Sequence, residues 1–377
     1  FAVFDSHIQA TAPLVRGKIT DIGGTPIFAA QNAENTVMDA GALASLDKAS
    51  THESLIALLL PWLATHLGDQ PLLGVGHRVV HGGQMYKDPT VVSPSVLDQL
   101  ETLIPLAPLH QPHNVAAMRA VEKWAPHVTQ IACFDTSFHR TQDRLAQLFA
   151  LPRDLTQDGI LRYGFHGLSY DYIASVLPDY IGDAAKGRVI VAHLGNGSSM
   201  CAMRDQKSVA TSMGFTALDG LMMGRRCGAL DPGVVLYLMQ SKGMSAPDIE
   251  TLLYKQSGLL GVSNISNDMQ VLQDSEHPNA REAIDLFCYR AASSLAGLLP
   301  AIGGLDALVF TAGIGENSAL VRKLICQHLT WLGIDLDDAA NTKNATEIST
   351  QTSPIKILMI PTNEDAVVAS ACRAALA

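Results

Sequence analysis

The feature that most constrains this chain is the run Leu308-Val309-Phe310-Thr311-Ala312-Gly313-Ile314-Gly315-Glu316-Asn317-Ser318. An apolar, β-branched segment stops at a Gly-rich stretch, and a helix-like segment, Ala319 to His328, follows. A strand is expected to feed a helix here, through a loop over Gly313 to Asn317. Glycine lets backbone approach a ligand closely, and a helix N-terminus offers unpaired N–H groups with a partial positive charge, which suits a phosphate or nucleotide. A turn with no ligand uses the same residues.

The alternation of strands and helices recurs along the chain. Apolar strands are expected at Leu73 to Val80, Val128 to Phe134, Arg188 to His193 and Ile355 to Ile360. Helices are expected near Glu53 to Leu67, Pro94 to Ile104, His113 to Trp124, Pro232 to Gln240, Pro247 to Gln256, Ala280 to Leu299 and from Asp365 onward. Ser93 before Pro94 is a helix start, a capping hydroxyl followed by proline at the first helical position. This order predicts an α/β architecture with mixed sheets. Gly195-Asn196-Gly197-Ser198-Ser199 reads as a tight loop within a meander that continues through Met200 to Met203 and Ser208 to Ser212. Its backbone N–H groups suit an anion, and a plain hairpin is the alternative.

A length of 377 residues suits two domains. A net charge of −10 argues against general nucleic-acid binding, which needs a basic surface. It leaves room for a small anion held by a few arginines. The six cysteines are scattered without metal-site spacing, so they read as reduced thiols of a cytoplasmic protein. The longest apolar stretch, Leu55 to Leu67, is shorter than the ~20 residues of a membrane span. The chain begins with Phe1-Ala2-Val3-Phe4, which reads as a strand already under way, so residues upstream of Phe1 are expected.

Several polar clusters fall at expected strand ends. Gly76 to Gly83 holds His77, Arg78 and His81, and strand alternation puts Arg78 and Val80 on one face, a cation beside an apolar wall. A small carboxylate with a short alkyl tail would fit there. Asp135 follows the strand ending at Phe134, a favoured ligand position in α/β sheets. His166 sits in a Gly-flanked loop, as do Arg225 and Arg226. His110 reads equally as a cap, a core residue or a site residue. Glu364 and Asp365 end a strand as a Mg²⁺ position or a helix cap. The combination points to phosphoryl transfer.

In this order the segments resemble the acetate kinase family. The matching runs include His77 to Gly83, Phe134-Asp135-Thr136, Tyr163 to Gly167, His193 to Ser199, Thr211 to Thr216, Gly220 to Gly224, Arg226-Cys227-Gly228, Ser257 to Gly261, Phe310 to Asn317 and Pro361 to Glu364. The resemblance implies two duplicated ribonuclease H-like domains of the actin/Hsp70/sugar-kinase type, residues 1–139 with 366–377, and 140–365. It implies a homodimer, acetate and acetyl phosphate as substrate and product, ATP/ADP as co-substrate, and Mg²⁺ or Mn²⁺. Arg78 and Arg226 would hold the carboxylate and the transferring phosphoryl group, His166 would stabilise its oxygens, Asp135 would position the nucleophile, and Glu364 would hold the metal. Val80, Leu109, His110, Phe165 and Ala217 would surround the acetate. His193, Gly195, Asn196, Gly197 and Ser198 would face the phosphates. Asp268, Met269, Gln270, Gly313, Ile314, Gly315, Glu316 and Asn317 would take the rest of the nucleotide. The sequence departs from the family in three places. A phosphate loop normally preceding Phe1 is absent, Ala217 replaces a proline of the acyl pocket, and Gln270 replaces an arginine. A propionate kinase, or an inactive nucleotide-binding regulator, is the alternative reading.

Overall fold

The computed structural model describes residues 1–6, 12–22, 24–68, 70–108 and 110–377. These residues cluster into two compact units, one of 1–137 with 363–377 and one of 138–362. Asn363, Glu364 and Asp365, expected with the second unit, group with the first.

The first unit holds strands β1 (Ala2–Val3), β2 (Val15–Thr20), β3 (Ile27–Asn32), β4 (Gly74–Val79), β5 (Thr90–Val91) and β6 (Thr129–Phe134). They form two sheets of three strands: β1-β2-β3, all antiparallel, and β4-β6-β5, with β4 parallel to β6. Val79, Ala132 and Phe134 bury one face of the second sheet against Leu97, Leu100 and Met118 of helices Pro94–Thr102 and Gln111–Trp124. Ser93 caps the first of these helices by accepting from the Val96 N–H at 3.3 Å, with Pro94 at its start. Helix Glu364–Leu376 lies on the same sheet at Gly76, where a Cβ would stand 2.3 Å from Val368 Cγ1; the missing side chain permits that approach. Phe1, Phe28 and Trp62 pack together over the antiparallel sheet, with Phe28 and Trp62 ring centroids 5.0 Å apart.

The second unit carries β7 (Val189–Leu194), β8 (Ser198–Arg204), β9 (Lys207–Thr211), β10 (Ala307–Thr311) and β11 (Lys356–Met359) in one mixed sheet, ordered β11-β10-β7-β8-β9. An antiparallel meander continues into two parallel strands, the ribonuclease H-like arrangement. Side-chain alternation sorts the sheet's two faces. Ile190, Ala192, Leu308 and Phe310 pack on helix Pro278–Ile302, whereas Val189, Val191, Val309 and Leu358 pack on helix Gly167–Ile181. The chain thus has the α/β architecture of mixed sheets flanked by helices that the sequence predicts, and among the described residues the five-stranded sheet is in the second unit.

One expected loop is a helix. Ala312–Asn317 forms a short helix straight after β10, its entry turned by Ala312 at φ 66°. Glu316 makes this possible: Oε1 accepts from the Ala312 N–H at 2.8 Å and from the Thr362 N–H at 3.0 Å, satisfying a helix-start donor and tying the turn to the end of β11. The Gly/Ser loop is shorter than expected, because β8 begins at Ser198.

Candidate active site

In the first unit, the parallel pairing of β4 with β6 sets Arg78 opposite Cys133, so that the arginine meets Asp135 just past the end of β6. The contact is a fork. Nε donates to Oδ1 at 3.0 Å and Nη2 to Oδ2 at 2.8 Å, with Asp135 held further by its own N–H on the Val79 carbonyl. Asp135 is buried and Arg78 is half-exposed. Arg78 Nη1 also lies 3.4 Å from Glu364 Oε2, at the first turn of the last helix. Asp135, with Glu364, holds the Arg78 proton more tightly than usual. Burial pushes the Glu364 carboxyl up to about 7; Arg78 opposes the rise, and Asp135 and Asp365 add to it. An acid held near neutrality is a feature of functional sites.

Around this cluster most groups serve the fold. Gly82 packs against Phe134, where a Cβ would stand 2.9 Å from Cγ, and its N–H donates to Thr136 Oγ1 at 3.1 Å. Val80 is half-buried, its N–H on Asn114 Oδ1. His110 occupies the cap position of helix Gln111–Trp124, yet its side chain does not cap it. His77 bonds Gln130 at 2.8 Å, and burial pushes its imidazole down to about 4, so it stays neutral. Leu109 lies outside the described residues.

In the second unit, the loop Gly195–Gly197 between β7 and β8 is overhung by two side chains. A Cβ on Gly197 would stand 2.7 Å from Arg226 Nη2 and 3.1 Å from His166 Nε2, so both nitrogens converge on the loop. Arg226 Nη1 donates to the Ala217 carbonyl at 2.5 Å. Its loop is anchored where Gly224 N–H meets the Asn196 carbonyl at 3.1 Å. His166 adopts the left-handed conformation at the start of helix Gly167–Ile181. Its Nδ1 lies 2.8 Å from Ser199 Oγ, which in turn meets Tyr170 Oη at 2.5 Å. The ring stacks on His193, centroids 4.2 Å apart, and His193 Nδ1 is 2.8 Å from Ser169 Oγ. Phe165 is buried, its carbonyl accepting from His139 Nε2 at 3.0 Å.

The same unit holds an open cleft of about 250 Å³. Its walls are Gly195 and Asn196, the segment Asn267–Gln270 with Gln273, and Gly313, Ile314, Asn317 and Ser318. Eight residues expected at the nucleotide thus line one cavity: Gly195, Asn196, Asp268, Met269, Gln270, Gly313, Ile314 and Asn317. Some have a structural duty too. The Asp268 carboxylate caps helix Met269–Gln273 through the Gln270 and Val271 N–H groups, and Gln270 bonds Asp274. Met269 is buried. Others lie off the cavity lining: His193 is buried in its stack, Gly315 on the buried side of its helix, Ser198 closes the loop on Gly195, and Glu316 braces the helix start.

Sequence reasoning missed Tyr170, which holds Ser199 behind His166, and Arg322, which supports the cleft wall. A signal for Arg322 does exist. It falls among Val321, Ile325 and Cys326 on the buried stripe of helix Ala319–Gln327.

A glycine loop and a glycine-containing helix at strand ends, the cleft they border, and arginine and histidine nitrogens converging on the loop are the features of a kinase-type phosphotransferase. The Acetokinase family matches residues 1–370. The acetate kinase of Rhodopseudomonas palustris (strain TIE-1) is 52% identical over 375 residues, covering 98% of this chain and 93% of that protein. The propionate kinase of Francisella tularensis superposes with a TM-score of 0.89 at 35% identity, covering 96% of this chain and 93% of that one. Porphyromonas gingivalis acetate kinase gives 0.86 at 33% identity, covering 97% and 94%. The chain belongs to the acetokinase family.

Proposed function

We infer that this protein catalyses reversible transfer of the ATP γ-phosphoryl group to acetate, giving acetyl phosphate and ADP. The observation that carries the reading is the convergence of Arg226 Nη2 and His166 Nε2 on Gly197, beside a cleft bordered by Gly195 and Asn196. Two nitrogen donors over a glycine loop suit the equatorial oxygens of a transferring phosphoryl group. The cleft takes the nucleoside. Arg78, locked by Asp135, takes the acetate carboxylate, with Val80 and His110 of the same unit beside the acyl group.

In the reaction one acetate oxygen attacks the γ-phosphorus in line, the bond to the β–γ bridging oxygen breaks, and ADP leaves. Acetate is ionised at neutral pH, so no base is needed to activate it. Catalysis is then positioning and neutralisation of charge. Ser199 and Tyr170 fix the His166 ring, and the Ala217 carbonyl fixes the Arg226 fork.

Mg²⁺ fits the donor set. It is commonly bound through one or two carboxylates and the substrate phosphates. Glu364, buried among other carboxylates and held near neutrality, gains from a nearby cation. Glu364 would hold it, with Asp135 nearby, and the ion would neutralise phosphate charge. The protein is further proposed to be a cytoplasmic homodimer with no nucleic-acid partner. None of the helices, among the described residues, is long and apolar enough to cross a membrane, and all six cysteines are free.

Ala217 favours a second reading, with propionate as an accepted or preferred substrate, because an alanine leaves more room than the family's proline. Trapping the acyl phosphate with hydroxylamine, with acetate, propionate and butyrate as acceptors, tests both. Hydroxamate formation with acetate supports the main reading. Preference for propionate selects the second, and absence of product with all three acids overturns both.

A further inference from the structure

Arg322 is fully buried, and among the described residues no carboxylate lies within ion-pair reach of it. A buried guanidinium is costly unless every donor is satisfied. Here all five N–H groups find an oxygen. Nε donates to Asn341 Oδ1 at 2.7 Å, Nη1 to the carbonyls of Gly315 and Glu316 at 2.8 and 2.9 Å, and Nη2 to the Asn341 carbonyl and Asn344 Oδ1 at 2.8 and 2.5 Å. Burial lowers its pKa from the ordinary value.

Two of these acceptors are carbonyls in the last turn of helix Ala312–Asn317, whose residues Gly313, Ile314 and Asn317 wall the cleft. Asn341 also donates through Nδ2 to the Ala319 carbonyl at 2.8 Å, at the start of the next helix, which carries Arg322. At the opposite end Glu316 satisfies the Ala312 N–H. The short helix is thus pinned at both ends by side chains. Helices of this length have little stability of their own, so the pinning sets their position.

We propose that Arg322 is a positioning residue for nucleotide binding: it does not touch the ligand, and it holds the Gly313–Asn317 wall of the cleft in its binding geometry by capping the carbonyls of Gly315 and Glu316. The inference rests on the proposed function only in taking the cleft's occupant to be an adenine nucleotide. Lysine, with three donors and no planar fork, cannot reproduce the five contacts. Binding loses affinity when a preformed wall must be ordered at the moment of binding.

The test compares wild type, Arg322→Lys and Asn344→Ala, the last removing a single contact at the rim of the cluster. Calorimetry with ADP reads the cleft directly, and steady-state kinetics with ATP and acetate read the reaction. Arg322→Lys is expected to weaken ADP binding and raise the KM for ATP about tenfold, with the KM for acetate within twofold of wild type; Asn344→Ala should shift ADP binding in the same direction by a few-fold. Unchanged ADP affinity in folded Arg322→Lys overturns the proposal, as does an equal rise in both KM values, which marks general loosening. If Arg322→Lys does not fold, Asn344→Ala decides: wild-type ADP affinity in that variant overturns the proposal. ADP binding by a wild-type protein that does not phosphorylate acetate would instead separate failure of the proposed reaction from failure of this inference.

Discussion

At the scale of single residues the account turns on charge. A Cβ on Gly197 would meet Arg226 Nη2, and on the proposed reading Arg226→Ala removes one donor from the transferring phosphoryl group. Loss of one such donor costs about 3–4 kcal/mol of transition-state stabilisation, so kcat is expected to fall by roughly 10²–10³. A wild-type kcat in that variant would remove Arg226 from the chemistry. Glu364 makes a pH prediction. Burial raises its carboxyl from 4.5 to about 7, so the folded protein holds this proton more tightly than the unfolded chain does. Between those values the folded state binds more protons, and Glu364's contribution to stability declines as pH rises through the window. The proposed metal binding runs the other way, since a cation held by Glu364 would need the ionised carboxylate. Mg²⁺ affinity, measured by calorimetry from pH 6 to 8, should rise with pH in wild type and lose this dependence in Glu364→Gln. The same slope in both would assign the titration to another group. Residue types at strand ends made Arg78, Asp135 and Glu364 legible as candidates, and Gly-flanked loops did the same for His166 and Arg226. Tyr170 was not, because its bond to Ser199 joins residues 29 apart in sequence, and a tyrosine inside an apolar helix reads as core.

At the scale of elements, loops matter for the space they leave empty. Gly197 does not have a positive φ, so an alanine there costs the backbone little, yet its Cβ would press on Arg226 Nη2 and His166 Nε2. Gly197→Ala should therefore unfold at a temperature close to wild type while kcat falls at least tenfold. A fully active Gly197→Ala would show that the two side chains do not work over this loop. The proposed acyl wall makes a second prediction. Val80→Ala should shift preference toward propionate, since one methylene in a hydrophobic pocket is worth about 1–3 kcal/mol, and Ala217→Pro should shift it toward acetate. The measurement is kcat/KM for acetate, propionate and butyrate; an unchanged ranking in Val80→Ala would remove Val80 from the pocket. Most of the strands and long helices were legible here because their periodicity reports burial directly, but helix Gly167–Ile181 was not among those expected. Helix Ala312–Asn317 was not, because glycines at Gly313 and Gly315 signal a loop and the stabilising contacts come from Glu316, Thr362 and Arg322.

At the scale of the molecule, each unit holds its own candidate groups: Arg78, Asp135 and Glu364 in the first, the glycine loop, His166, Arg226 and the cleft in the second. Motif order along the whole chain made the family legible. The grouping of Glu364 with the first unit was harder to read, since the helix it begins follows a second-unit strand and returns to pack on β4. The central claim is that the protein moves a phosphoryl group from ATP onto a carboxylate. Phosphorus NMR of the protein mixed with Mg-ATP and acetate tests it most directly. The account predicts an acyl phosphate resonance growing in step with ADP, and its disappearance when ADP is added in excess. ADP accompanied only by inorganic phosphate, or an unchanged ATP spectrum, would contradict it.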